Sequence, residues 1–276
     1  MSATQRPVIS APFDAVAARY DQTFTSSIIG RAQRAAVWKE LTKAFHPGDR
    51  VLEIGCGTGV DACYLAERGV EVLACDPSPQ MVDVAAERIR QYSLQALVRP
   101  RVLRAEDISS LPTDQSFDGA FSNFGALNCV DDLRPVATSL SRRLRPGSSV
   151  LLCWMGPFCL VETLFYLGQG NARKAFRRFR RDGVSAKLAE NASVYVNYPS
   201  VTALTRIFAP EFRLKAVQGI GVAVPPSYLE PWARGHPGAI NLCERFDSLV
   251  GRCPVIRSIG DHVLVRLERR QDGSEG

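Results

Sequence analysis

The chain has 276 residues, 46% hydrophobic and 22% charged, a near-average composition that excludes a disordered, collagen-like or disulfide-scaffold protein. Its 34 bases and 28 acids leave a net charge of +6. The whole excess lies in Asn171–Arg181, where Arg173, Lys174, Arg177, Arg178, Arg180 and Arg181 stand without an acid, so a general polyanion-binding surface is not expected.

In chain order, Phe13–Phe45 reads as helical and stops at His46-Pro47-Gly48. A short β-rich run, Arg50–Ile54, ends at a glycine cluster, and Val60–Arg68 is helical with Gly69 as its stop. Val70–Cys75 is the next strand. Ser78 and Pro79 open a helix, the serine as N-cap and the proline in the first turn. Strands follow at Arg101–Arg104 and Phe117–Ser122. The next helix carries Leu133, Val136, Ala137, Leu140 and Leu144 on one face, and Ser149–Trp154 is a further apolar strand. Strands alternating with helices predict an α/β domain, doubly wound around a parallel sheet, with its ligand site at the carboxyl ends of the strands. After Trp154 the pattern breaks. Residues 156–210 read as a helical insertion, a lid over the substrate; Phe212–Val224 and Asp261–Glu268 read as the last two strands, with a helix at 239–250 between them. The expected organisation is a helical cap over 1–48, the α/β core over 49–155, the insertion, the final strands over 211–268, and a disordered tail over 269–276.

The opening MSATQRPVIS lacks the apolar core of a secretory signal. The longest uncharged run, Pro146–Val161, falls short of the roughly 20 residues a bilayer requires and is interrupted by Gly156-Pro157. The eight cysteines show no C-x-x-C spacing and lie mostly among apolar residues, so they are expected reduced, buried and without metal. Together these features predict a cytoplasmic protein.

The segment VLEIGCGTG, Val51–Gly59, carries the chemistry. A strand runs into Gly55, Gly57 and Gly59, a helix opens at once, and the next strand ends in Asp76. Glycines suit a tight turn where a ligand approaches main-chain N–H groups, and an acid at Asp76 can accept both hydroxyls of an adenosine ribose. A dinucleotide fingerprint wants glycine where Val60 stands, and Glu53 would repel a pyrophosphate. A phosphate-binding loop is excluded, because no G-K-[ST] follows. Glu53 would instead suit a ligand carrying an ammonium and a sulfonium.

VLEIGCGTG with Asp76 resembles the class I S-adenosylmethionine-dependent methyltransferases. Phe13-x-x-Val16-Ala17-x-x-Tyr20-Asp21 resembles the leading helix of the branch containing ubiquinone and menaquinone C-methyltransferases. The resemblance implies a Rossmann-like, seven-stranded sheet whose last strand is antiparallel. It implies S-adenosylmethionine as cofactor, S-adenosylhomocysteine as product, and no metal. Gly55, Cys56, Gly57 and Gly59 would line the methionine and ribose, Glu53 would reach the amino group, and Asp76 with Pro77 and Met81 would border the ribose. Asp107, preferred over Glu106, would accept from the adenine amino group while Ile108 packs on the ring; a solvated acidic loop is the alternative. Ser122 and Asn123 would lie between cofactor and acceptor, or Asn123 would only satisfy local backbone groups. Tyr20 would close over the cofactor or serve as a core aromatic.

Of the three histidines, His46, His236 and His262, only His236 in its Arg-Gly-His-Pro-Gly loop is a candidate base; Tyr198, with Tyr195 and Tyr228, is a candidate for orienting an acceptor. Ser122-Asn123-Phe124 is not the [DN]-P-P-[YFW] of adenine and glutamine methyltransferases, and no Pro-Cys nucleophile occurs. The insertion begins apolar and aromatic, with Trp154, Phe158, Leu160, Leu164, Phe165 and Tyr166, which points to a small or lipid-like hydrophobic acceptor, methylated at oxygen or carbon rather than nitrogen. In the basic stretch Ala172, Ala175, Phe176 and Phe179 fall at helical spacing, giving an amphipathic cover helix or, through Arg173–Arg181, a peripheral contact with an anionic membrane or acidic partner. An RNA methyltransferase using 171–181 and a non-catalytic cofactor-binding regulatory subunit are the alternative functions; nucleic acid is disfavoured by the neutral remainder of the chain.

Overall fold

Apolar runs such as Val150–Trp154 leave neither face fit for water, and so require a sheet covered on both sides. The computed structural model describes residues 11–180 and 182–271. Its strands are β1 (Arg50–Ile54), β2 (Glu71–Asp76), β3 (Val98–Val102), β4 (Phe117–Ser122), β5 (Leu144–Trp154), β6 (Val184–Ala189), β7 (Ala192–Val196), β8 (Phe212–Ile220) and β9 (His262–Arg269). Seven of them form one sheet in the order β3-β2-β1-β4-β5-β9-β8, and β6 and β7 form a separate hairpin. Strands β1 to β5 are parallel, and β9 runs antiparallel between β5 and β8.

The helices are α1 (Ala17–Tyr20), α2 (Ile28–Ala44), α3 (Val60–Ala66), α4 (Pro79–Gln91), α5 (Arg134–Arg143), α6 (Leu160–Gly168), α7 (Ala172–Ala175), α8 (Val201–Phe208), α9 (Glu230–Gly235) and α10 (Pro237–Val250). Alternation along β5 divides the core. Val150, Leu152 and Trp154 join the cluster of α5 and α8, whereas Leu151 and Cys153 join that of α2 and α3. Strand order reverses between β1 and β4, which opens a crevice at their carboxyl ends, where Gly55–Gly59 and Asn123–Gly125 lie.

The structure corrects several expectations. The run Phe13–Phe45 is not one helix: short turns over 12–25 are followed by a break at Ser26-Ser27. Ser27 N-caps α2 by accepting from Gly30 N at 2.8 Å, and Glu230 accepts from the N–H groups of Ile28 and Ile29. A Cβ on Gly30 would lie 2.0 Å from the Phe24 carbonyl, so only glycine lets the leading segment fold back onto α2. The third strand starts three residues earlier than expected, at Val98, and Pro100 is tolerated because β3 is an edge strand. The insertion is only partly helical, since β6 and β7 pair antiparallel around Glu190-Asn191. The tail is ordered further than expected: Arg269 closes β9 opposite Phe212, and Arg270 Nε donates to the Ala209 carbonyl. Residues 1–10, Arg181 and 272–276 of the expected cap, basic stretch and tail lie outside the described residues.

Candidate cofactor and acceptor site

The glycine turn is held from β2. Gly55 N and Cys56 N both donate to the Cys75 carbonyl, at 2.8 and 2.9 Å. Asp76, at the tip of β2, accepts from Gly57 N through Oδ2 and from Ser78 N through Oδ1, both at 2.9 Å. One carboxylate thus fixes the turn and the entry to α4, while each oxygen keeps acceptor capacity for a further donor. Burial pushes the Asp76 carboxyl up to about 6, the Ser78 and Gly57 amides opposing and Asp14 adding to the rise. Gly57 has φ +51 and no heavy atom within 4 Å of where a Cβ would stand, so its outer side is open. Gly55 is closed in: a Cβ there would come within 2.1 Å of the Ala126 Cβ.

Glu53 is the most informative side chain of the crevice. It is 1% exposed, and its Oε2 has no hydrogen-bond partner among the described residues. Burial, with the Asp61 and Asp76 carboxylates, drives its pKa well above the carboxylate range, against the opposing charge of Arg34. Such a group lacks a cation or donor, and an ammonium in the crevice would supply one. Ser122 Oγ and Asn123 Oδ1 are likewise buried without partners at the end of β4. This set of acceptors around an open glycine suits a ligand that brings an ammonium and ribose hydroxyls, as S-adenosylmethionine does.

Asn123 does not merely serve local backbone. Its Nδ2 donates to Asp61 Oδ2 at 3.0 Å, while Asp61 Oδ1 accepts from Arg34 Nη1 at 2.6 Å and Trp38 Nε1 at 2.7 Å. Asp61 lies in the first turn of α3, where the helix dipole favours a carboxylate. This hub was missed in the sequence, although an acid two residues after the last glycine was the available signal.

Residues 12–25 form a strap across the crevice, pinned at two places. Asp14 accepts from Ser78 Oγ at 2.5 Å and from Gln80 N at 3.3 Å. Asp21 accepts from Thr58 Oγ1 at 2.7 Å and pairs with Arg88 of α4. Tyr20, between these anchors, is half-buried; burial lifts its phenol, Arg34 opposes, and Asp76, Asp61 and Asp21 add. Beside it Phe24 packs edge-on against Phe124 at 5.1 Å, and the Arg34 guanidinium lies over both rings. Phe124 holds a left-handed φ of +51, and its ring meets His262 at 5.5 Å.

The other expected residues differ in exposure. Ile108 and Met81 are buried, Ile108 within the core, so neither presents an open side chain. Asp107 is exposed and Glu106 is paired with Arg104, while Pro77 sits exposed in the turn that Asp76 closes. His236 is not brought to the crevice: it stacks on Trp232 at the surface, its Nδ1 within 2.9 Å of the Trp232 carbonyl. The histidine that does approach is His262, buried at the start of β9 beside Asp261. Sequence spacing could not show this, because β9 reaches the crevice only through sheet order.

The basic stretch is the largest departure. The helix ends after Ala175, and the next turn is tighter, so the expected apolar stripe is lost. Phe176 and Phe179 are exposed, 47% and 55%, while Arg178 is 4% exposed. Arg177 and Arg178 both bond to Glu162 of α6, and Arg178 also reaches Asp261 at 2.7 Å. Burial would raise the Asp261 carboxyl, but His262 and Arg178 hold it well below the usual range. Tyr198 lies under the Arg178 guanidinium at 5.6 Å, so it belongs to this buried ionic cluster.

Comparison with known proteins agrees with the fold. Residues 52–150 match the family model described as a methyltransferase domain. A demethylmenaquinone methyltransferase of Clavibacter sepedonicus is 34% identical over 149 residues, 52% of this chain and 57% of that protein. The one from Beutenbergia cavernae is 34% identical over 170 residues, 58% and 64% of the two chains. The matched stretch therefore spans less than two thirds of these relatives. Among solved structures, an S-adenosylmethionine-dependent methyltransferase from Mesorhizobium loti superposes with a TM-score of 0.56 at 18% identity, covering 88% of this chain and all (100%) of that one. Geranyl diphosphate C-methyltransferase from Streptomyces coelicolor gives 0.54 at 18% identity, covering 85% and 77%. Residues 52–150 thus match a methyltransferase domain, and the chain has the fold of S-adenosylmethionine-dependent methyltransferases.

Proposed function

We propose that the protein transfers a methyl group from S-adenosylmethionine to a small or lipid-like hydrophobic acceptor, at carbon or oxygen. The observation that carries this reading is Glu53, a buried carboxylate with a partnerless oxygen, two residues before an open glycine turn that Asp76 fixes. Relatives named demethylmenaquinone methyltransferases support an acceptor of the quinol type.

When bound, S-adenosylmethionine supplies an electrophilic methyl group on a sulfonium. Glu53 would hold the amino group and Asp76 the ribose, which together fix the donor along β1 and β2. Arg34 and Asp61 hold the Asn123 side chain at the junction between donor and acceptor. The strap, through Tyr20 and Phe24, and the ring of Phe124 would exclude water and present an apolar wall to the acceptor. In its neutral form His262, bordering Phe124, would be the candidate to take a proton from an acidic acceptor hydroxyl.

The RNA reading loses two of its bases, because Arg177 and Arg178 are engaged by Glu162. Calorimetric titration of S-adenosylmethionine into the parent, Asp76→Ala and Gly57→Arg tests the site. We expect affinity at least roughly tenfold weaker in both variants, equivalent to one lost charge-assisted contact; unchanged affinity in both overturns the assignment. Labelled donor incubated with a hydrophobic quinol should then place label in the organic phase. Intact binding without transfer to any such acceptor would favour a regulatory subunit.

A further inference from the structure

Ten large hydrophobic side chains stand at least a third exposed on two segments: Leu164, Leu167, Phe176 and Phe179 between residues 160 and 179, and six more between Tyr228 and Val255. The second group includes a stripe on α10, where Leu242, Phe246 and Leu249 are 69%, 47% and 80% exposed at i, i+4 and i+7. Tyr228 joins the segments, its ring within 5.6 Å of both Phe165 and Tyr166 of α6. A helix normally turns such a stripe inward; α10 instead packs through Ile240 and Asp247 and leaves it uncovered.

The exposed charges around this surface are mostly basic, with Glu244 and Asp182 as exposed acids. Arg173, Lys174, Arg180 and Arg245 are exposed and have no acid partner among the described residues. The neighbouring acids Glu162, Glu230, Asp247 and Asp261 are buried and satisfied internally. At about 100° per residue, Arg245 sits about 60° round α10 from Leu242, whereas exposed Glu244 sits about 160° away. A second copy docking face to face would set these cations against each other. An anionic lipid surface would accept both the apolar stripe and the bases.

We propose that α10 and the α6–α7 segment form a peripheral docking face for anionic membrane. The contact is superficial, since no helix among the described residues is long and apolar enough to cross a membrane. This inference is independent of the acceptor reading. The test is co-sedimentation of the full chain with vesicles of phosphatidylcholine alone, or mixed with phosphatidylglycerol. We expect binding to the mixed vesicles only, falling with salt, and weakened roughly tenfold or more both by Phe246→Ser with Leu249→Ser and by Lys174→Glu with Arg245→Glu. These positions are exposed, so circular dichroism and S-adenosylmethionine binding should stay at parental values. Equal binding to neutral vesicles, or both double variants binding as tightly as the parent, overturns the proposal. So does a concentration-dependent dimer that the serine variant abolishes while vesicle binding persists, which would assign the face to self-association.

Discussion

Asp61→Asn isolates the hub beneath the crevice. The substitution keeps the shape of the side chain and removes its charge. Asp61 receives Arg34 at 2.6 Å, Trp38 at 2.7 Å and Asn123 at 3.0 Å, and the two members of the ion pair have side chains only 8% and 5% exposed. Removing one partner of a buried pair leaves the other charge without compensation and costs about 3–5 kcal/mol. Against a total stability of about 5–15 kcal/mol, that is a large fraction. The expected outcome is a fall of this size in urea-unfolding free energy, followed by far-ultraviolet circular dichroism because Trp38 fluorescence would itself change. Arg34→Met should also be costly, since it leaves Asp61 buried and charged. The double variant should then be less destabilised than the sum by about 1–3 kcal/mol. An Asp61→Asn protein within about 1 kcal/mol of the parent, or additive single effects, would refute the argument that this pair organises the crevice.

Asp76 gives the pH dependence. Its folded carboxyl keeps a proton to about pH 6, whereas an ordinary aspartate loses it near 3.8, so its contribution to stability is fully present below 3.8 and lost as pH rises through about 6. Binding a ribose requires the carboxylate, so S-adenosylmethionine affinity should weaken by up to about tenfold per pH unit below 6, and Asp76→Asn should flatten the profile; a flat parental titration from pH 7.5 to about 5 would contradict this. Glu162→Ala should destabilise the chain by about 3–5 kcal/mol, because it leaves buried Arg178 with fewer partners, and limited proteolysis should then cut first in the insertion. Uniform digestion would show that this cluster does not hold the insertion down.

The local parts of the fold were legible because neighbouring residues decide them. Ser78 does cap α4 by accepting from Met81 N, and the glycine cluster does link β1 to α3. The alternation of strands and helices was enough to give a sheet wound on both faces. The hairpin also left a readable trace, the period-two burial of Ala192–Val196, but the helical reading of the whole insertion concealed it. The break at Ser26-Ser27 had a local signal in the Ser27 N-cap, but its other support, Glu230, comes from far along the chain and could not be read locally.

The basic stretch shows why charge pattern alone misled. Six bases without an acid within the run suggest a solvated face, but two of them, Arg177 and Arg178, meet acids from other elements. Glu162 stands on the preceding helix and Asp261 just before β9. A buried carboxylate is tolerated only when paired, so Glu162, 1% exposed, draws Arg177 and Arg178 inward. Pulling Arg178 in rotates its neighbours out, and Phe176 and Phe179 are left at the surface. The same ionic cluster thus ties the insertion to the start of β9, beside His262 and Phe124, and leaves aromatic side chains facing outward. A charge placed for stability at one end of the insertion therefore fixes both the β9 side of the crevice and the apolar character of the outer face.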